Sequence, residues 1–222
     1  MTTAIIVAAG KSERMGGGAD KAFLSLVNKP VIAWSLLAFE KCPDVDRLVL
    51  VVRKEQLVAA QAVARMFGIS KLDKIVAGGS RRQESVLAGL AACDLSTKLV
   101  VIHDGARPCV TPEVVTEVVK LAKRSGAATV GRRMTDTVKL VEKGVVVEKT
   151  VEREKLWTVQ TPQAFAVKTL RDAYRALGNV TVTDDCQAVE QAGGTVKIYE
   201  NRQPNLKITT VEDLQIANAL LK

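Results

Sequence analysis

The residues best suited to chemistry lie near the amino terminus. There Val7-Ala8-Ala9-Gly10-Lys11-Ser12-Glu13-Arg14-Met15-Gly16-Gly17-Gly18-Ala19-Asp20-Lys21 follows a short apolar run. Small residues at 8–10 let backbone amides come close to a ligand, and Gly16 to Gly18 give a loop able to wrap around it. Lys11, Arg14 and Lys21 add positive charge, so an anion such as a phosphate group is the natural guest. Two familiar motifs are absent. A P-loop would need glycine where Ile5 stands, and a dinucleotide fingerprint would need glycine where Ser12 stands. The glycines alone also suit a plain basic connection between a strand and a helix.

Two more stretches repeat the theme. Gly78-Gly79-Ser80-Arg81-Arg82-Gln83-Glu84-Ser85 offers glycines, cations and hydroxyls ahead of a helix, whose free amides suit an anion or a polar base edge. His103-Asp104-Gly105-Ala106-Arg107-Pro108 ends a very apolar run, and an aspartate there can hold a metal-bound phosphate or ribose hydroxyls. His103 is the only histidine; a lone histidine at a strand end is more often structural than catalytic. Asp136-Thr137-Val138-Lys139, Val151-Glu152-Arg153 and Asn205-Leu206-Lys207-Ile208-Thr209 each set a cation beside an apolar strand. Singly, each reads as a surface charge; their number at strand ends is what matters.

Elements must position these residues. Thr3–Ala8, Arg47–Val52 and Leu99–His103 are short, apolar and rich in Val and Ile, as strands covered on both faces should be. Val31–Lys41, Lys54–Phe67 and Gln83–Cys93 carry apolar residues at helical spacing. Thr111-Pro112-Glu113 opens another helix with a cap, a proline and an acid in order. This alternation implies a mostly parallel sheet covered by helices, an α/β fold with ligands bound at the carboxyl ends of the strands. Between Met134 and Val151 the pattern changes to an inserted β-hairpin, turning at Glu142-Lys143-Gly144. A lone hairpin is marginal in water, so the arm should pack on something else, most simply a second copy of the chain. Helices at Val167–Leu177 and Asp184–Ala192, a strand at Thr195–Tyr199 and a last helix capped by Thr210 complete the chain. We expect one domain over residues 1–222, with the arm at about 134–155.

Composition narrows the function. The 222 residues are 47% hydrophobic and 25% charged, which excludes disorder. Lys plus Arg number 32 against 24 Asp plus Glu, a net charge of +8, which favours anionic partners. Aromatic residues make up only 4%, too few for the stacking platforms of single-strand binders, so no nucleic acid partner is expected. The four cysteines are scattered without a CxxC pair, against a zinc site and in favour of a reducing compartment. No signal peptide pattern and no long apolar stretch are visible, so a soluble cytoplasmic protein without membrane attachment is expected.

The motifs VAAGKSERMGGGADK, GGSRRQESVLAGL, HDGARP, TDTVK, TVEREKLWTVQTPQAF, VTDD and NLKIT, in this order, resemble those of the 2-C-methyl-D-erythritol 4-phosphate cytidylyltransferase family. That family makes 4-diphosphocytidyl-2-C-methyl-D-erythritol from CTP in the non-mevalonate isoprenoid pathway. The resemblance spans almost the whole chain and implies a Rossmann-like fold, a homodimer joined through the β-arm, and magnesium. It implies that Ala8, Ala9 and Gly10 touch the nucleotide, and that Arg14 and Lys21 hold the triphosphate. Gly79, Ser80 and Ser85 would line the cytosine pocket, with Arg82 supporting that loop. Asp104 would lie by the ribose and the metal, directly or through water, and Lys207 by the α-phosphate. Thr137, Arg153, Thr161 and Thr183 would contact the methylerythritol phosphate, Arg153 from the neighbouring subunit.

Two departures stand out. The family usually has Pro-Lys-Gln where this chain has Asp20-Lys21-Ala22, and commonly an acid at Ser80. The reaction would need no general base, since a phosphate monoester with a second pKa of about 6 is already an anion at neutral pH. Rival readings are a ribitol 5-phosphate cytidylyltransferase and a non-catalytic nucleotide-binding protein on the same fold.

Overall fold

The structure is a computed structural model and describes residues 1–10 and 20–222. The first half alternates strand and helix. Strand β1 (Thr2–Ala8) is followed by two-residue strands β2 (Ser25–Leu26) and β3 (Lys29–Pro30), then α1 (Val31–Lys41), β4 (Arg47–Val52), α2 (Leu57–Met66) and β5 (Leu72–Ala77). Next come α3 (Arg82–Ala92), β6 (Leu99–Asp104), α4 (Pro112–Ser125) and β7 (Ala127–Arg133). Strands β8 (Val138–Leu140) and β9 (Lys149–Val151) precede β10 (Trp157–Ala166), α5 (Val167–Leu177), α6 (Asp185–Gln191), β11 (Lys197–Glu200) and α7 (Val211–Leu220).

Seven strands form one sheet in the order β11-β7-β10-β6-β1-β4-β5. Four of its six pairings are parallel; only β10 runs against its neighbours β6 and β7. The alternation of side chains along β1 explains the two helical layers. Ala4 and Ile6 pack with Leu36 and Phe39 of α1, Ala60 of α2 and Val118 of α4. Ile5, facing the other way, packs with Val86 and Leu90 of α3, Leu170 of α5 and Val189 of α6. Strands covered on both faces need near-continuous apolar runs, as β1 has over Ala4–Ala8 and β4 over Leu48–Val52. A fully buried Leu, Ile or Phe contributes ~1.5–3 kcal/mol each.

The expected elements recur with three differences. The helix expected over Lys54–Phe67 begins as a 3-10 turn at Lys54–Gln56 before α2. Strands β5, β7 and β10 carry charged or polar residues that hid them; β5 is an edge strand whose Asp73 and Lys74 face solvent. The hairpin has only three residues per strand, paired from Val138↔Val151 to Leu140↔Lys149. Val145, Val146 and Val147 stay outside the ladder and are 93%, 75% and 51% exposed, with no apolar surface beneath them among the described residues.

Candidate active site

The carboxyl ends of β1 and β6 meet at one cleft. Ala8, Ala9 and Gly10 form its floor, and Asp104, the last residue of β6, stands on one wall. The loop before α3 and the turn beginning at Lys21 form two further sides. Lys207 arrives from the carboxyl-terminal segment, which is bonded to the Asp104 loop by Ile208 N–H to the Ala106 carbonyl at 2.8 Å.

Close packing shapes the base loop. A Cβ on Gly78 would stand 2.4 Å from the Ala9 Cβ and 2.6 Å from Ser85 Oγ, so only glycine lets this loop lie on the floor. Ser85 Oγ accepts the Gly79 amide at 3.2 Å. The Glu84 carboxylate accepts the amides of Ser80 and Arg81, the Ser80 hydroxyl and the Arg81 guanidinium at 2.7–3.1 Å. These bonds, led by that from Arg81, bring the Glu84 pKa down to about 2. The loop is therefore fixed from within α3.

Asp104 is the electrostatic hub. Its Oδ1 lies 3.2 Å from Arg82 Nε and its Oδ2 lies 2.6 Å from Lys207 Nζ. Burial disfavours its charge, but Arg82, Lys207 and Arg107 outweigh burial and hold it well below the usual carboxylate range. Arg82 also reaches Asp185 at 2.8 Å, and Asp185 in turn accepts the Tyr174 hydroxyl. Arg82 Nη2 is buried and has no hydrogen-bond partner among the described residues.

His103 cannot serve as an acid or base in this cleft. It is fully buried, its ring centroid 5.0 Å from that of Phe39, and burial pushes its pKa down to about 3. Its Nδ1 lies 3.2 Å from the Thr161 hydroxyl and its Nε2 lies 3.3 Å from the Arg107 carbonyl. Thr161 also accepts the Asp104 amide at 3.0 Å, so the histidine props up the end of β6.

The profile of the IspD family, described as 2-C-methyl-D-erythritol 4-phosphate cytidylyltransferase, matches residues 2–222. This chain belongs to that family. It is 46% identical over 220 residues to the 2-C-methyl-D-erythritol 4-phosphate cytidylyltransferase of Dehalococcoides mccartyi, covering 99% of this chain and 95% of that one. Identity to the enzyme of the same name from Alkaliphilus metalliredigens is 40%, with 99% and 92% covered. Among solved structures it resembles 4-diphosphocytidyl-2C-methyl-D-erythritol synthase of Anaerococcus prevotii, with TM-score 0.87, 28% identity, and 99% and 95% covered. The Thermus thermophilus cytidylyltransferase gives TM-score 0.78 at 31% identity, with 99% and 98% covered.

For a cytidylyltransferase of this family the placement of the expected residues is informative. Ala8, Ala9, Gly10, Lys21, Gly79, Ser80, Ser85, Asp104 and Lys207 line one cleft. Thr161 lies buried behind Asp104 rather than in the cleft wall. Thr183 is exposed beside a second groove with Trp157 and Asp184, and its hydroxyl donates to Gln187. Thr137 and Arg153 share a separate groove at the base of the hairpin, where Arg153 donates to the Thr135 carbonyl at 2.7 Å. Arg14 lies outside the described residues. Sequence reasoning passed over Glu84, Arg53 and Asp185. A charge directly after an apolar strand or in the first turn of a helix was the available signal for Arg53 and Glu84, and the second aspartate of VTDD for Asp185.

Proposed function

We infer that this chain transfers the CMP moiety of CTP to 2-C-methyl-D-erythritol 4-phosphate, giving 4-diphosphocytidyl-2-C-methyl-D-erythritol and pyrophosphate. The observation that carries the reading is a family match over the whole chain whose expected nucleotide residues converge on one cleft. The substrate phosphate attacks the α-phosphorus in line as pyrophosphate leaves. No base is required, which agrees with an enclosed, neutral His103. The protein's task is to align two anions and neutralise charge as it shifts onto the leaving group.

In this reading Ala8, Ala9 and Gly10 hold the nucleotide, and Gly79, Ser80 and Ser85 the cytosine. Arg14 and Lys21 hold the triphosphate, and Lys207 the α-phosphate. Arg82, which lines the cleft and is held by Asp104 and Asp185, supports the base loop. Thr137, Arg153 and Thr183 serve the methylerythritol phosphate, with Arg153 acting across a homodimer, while Thr161 acts from behind Asp104 by holding its amide. Among the described residues no group of three or more His, Cys, Asp or Glu side chains could hold a metal, and both oxygens of Asp104 are already engaged. That donor set fits magnesium carried in on the triphosphate and steadied by Asp104, directly or through water. When bound, the ion would neutralise phosphate charge.

Among the described residues no helix is long and apolar enough to cross a membrane. Four buried free thiols support a place in the reducing cytoplasm. Pyrophosphate release from CTP, measured with methylerythritol phosphate and in parallel with ribitol 5-phosphate, tests the reading. Turnover should need the first acceptor, and preference for ribitol phosphate would reverse the assignment.

A further inference from the structure

We propose that Asp20 and Arg53 form a clamp that sets the position of Lys21, making Arg53 a positioning residue for the transfer. The inference rests on the reading of Lys21 as a triphosphate ligand. Asp20 directly precedes Lys21, and its carboxylate divides its work. Oδ1 accepts the Ala22 amide at 3.1 Å, while Oδ2 accepts Arg53 Nε at 3.1 Å and Nη2 at 3.0 Å. The Asp20 carbonyl also accepts the Phe23 amide at 2.9 Å. The residues flanking Lys21 are thus both tied to one carboxylate, and the carboxylate to Arg53.

Arg53 follows β4 directly, and β4 pairs with β1 from Thr3↔Arg47 to Ala8↔Val52. The clamp therefore references Lys21 to the same rigid sheet that carries the cleft floor. The Asp20 side chain is only 2% exposed and that of Arg53 32%. A carboxylate buried in this way is shielded from competing water, and a planar guanidinium fork fixes its orientation as a lysine could not. Among the described residues Arg53 does not line the cleft, so its action on the reaction runs through Asp20. The backbone at Asp20 has φ −76°, within the range a proline ring imposes. A proline there fits the backbone and would restrict it through its ring, in place of the carboxylate and without Arg53.

The test compares the wild type with Arg53→Ala, Lys21→Ala, Arg53→Ala with Asp20→Pro, and Arg53→Ala with Lys21→Ala. Steady-state turnover of CTP and methylerythritol phosphate is read alongside hydrogen exchange of the segment containing Ala22. Arg53→Ala should lower kcat about ten- to a hundredfold with little change in KM for methylerythritol phosphate. Adding Asp20→Pro should restore most of that loss. In the Lys21→Ala background Arg53→Ala should cost nothing further, and the Ala22 amide should exchange faster whenever Arg53 is absent. Unchanged kcat in Arg53→Ala, a full extra loss on top of Lys21→Ala, or unchanged exchange at Ala22 would each overturn the clamp. If the wild type makes no product, the functional reading fails by itself. The exchange of Ala22 in Arg53→Ala then decides the clamp, faster exchange upholding it and unchanged exchange sinking it.

Discussion

At the scale of single residues, the contrast between Asp104 and His103 is the clearest. They are neighbours at the end of β6, yet one stays charged and the other stays neutral. Asp104 has three cations around it, whereas His103 has an aromatic ring, a hydroxyl and a carbonyl. Because the His103 pKa falls from 6.5 to about 3, the unfolded chain takes up a proton that the native state refuses. Its contribution to stability is present above pH 6.5 and is lost as pH falls from 6.5 towards 3. His103→Gln should flatten that slope, measured as urea midpoints at pH 7 and pH 5. Its loss of kcat should fall far short of the ~10²–10⁴-fold a general base supplies. An equal slope in both proteins would mean that His103 titrates normally. Asp104 and His103 were legible as a strand end, but their opposite charge states were not. Those depend on Arg82, Lys207 and Thr161, which come from distant parts of the chain.

At the scale of elements, the site depends on how closely the base loop lies over β1. The glycines of that loop were visible in the sequence; the reason for Gly78 is the 2.4 Å approach to Ala9, and for Gly79 an equally close approach to Glu84. Gly78→Ala must push the loop off the floor, since the Ala9 Cβ is fixed directly to the backbone. We expect KM for CTP to rise about tenfold, with KM for methylerythritol phosphate nearly unchanged. Equal values for CTP in the variant and the wild type would show that the loop does not contact the base. The strands buried on both faces were readable because burial forces an unbroken apolar run. Strand β10 was not: its middle, Gln160 to Gln163, is polar because Gln163 bonds Asp184 and Asp185 across the molecule. Such bonds are a property of the folded partners, not of local spacing.

At the scale of the whole molecule, the hairpin is the surface that a second copy of the chain would cover. Its outer valines are exposed, its strands are short, and Arg153 at its base bonds Thr135 and Glu154 and no cleft residue among the described residues. A dimer in which Arg153 serves the neighbour's site accounts for all three. Mixing Lys21→Ala with Arg153→Ala, each strongly impaired alone, should then restore roughly a quarter of wild-type activity after statistical exchange in a two-fold dimer. Half the dimers would be mixed, and each would own one intact site of two. Activity that stays at the level of the separate variants, once exchange is shown by mass, would place Arg153 in its own subunit's site.

The buried cysteines carry a practical consequence. Cys42, Cys93, Cys109 and Cys186 are all enclosed, and burial pushes the thiols of Cys93 and Cys109 up to about 11 and that of Cys186 higher still. Thiolates are the reactive form, so the native fold should be nearly inert to maleimides and disulfide reagents. A colourimetric thiol titration should therefore find almost nothing until denaturant is added, and then four groups. The wild-type scaffold is in effect already a cysteine-free background for labelling. A single Lys143→Cys change at the hairpin turn would accept one dye per chain, and its emission would report directly whether that tip is wet or covered.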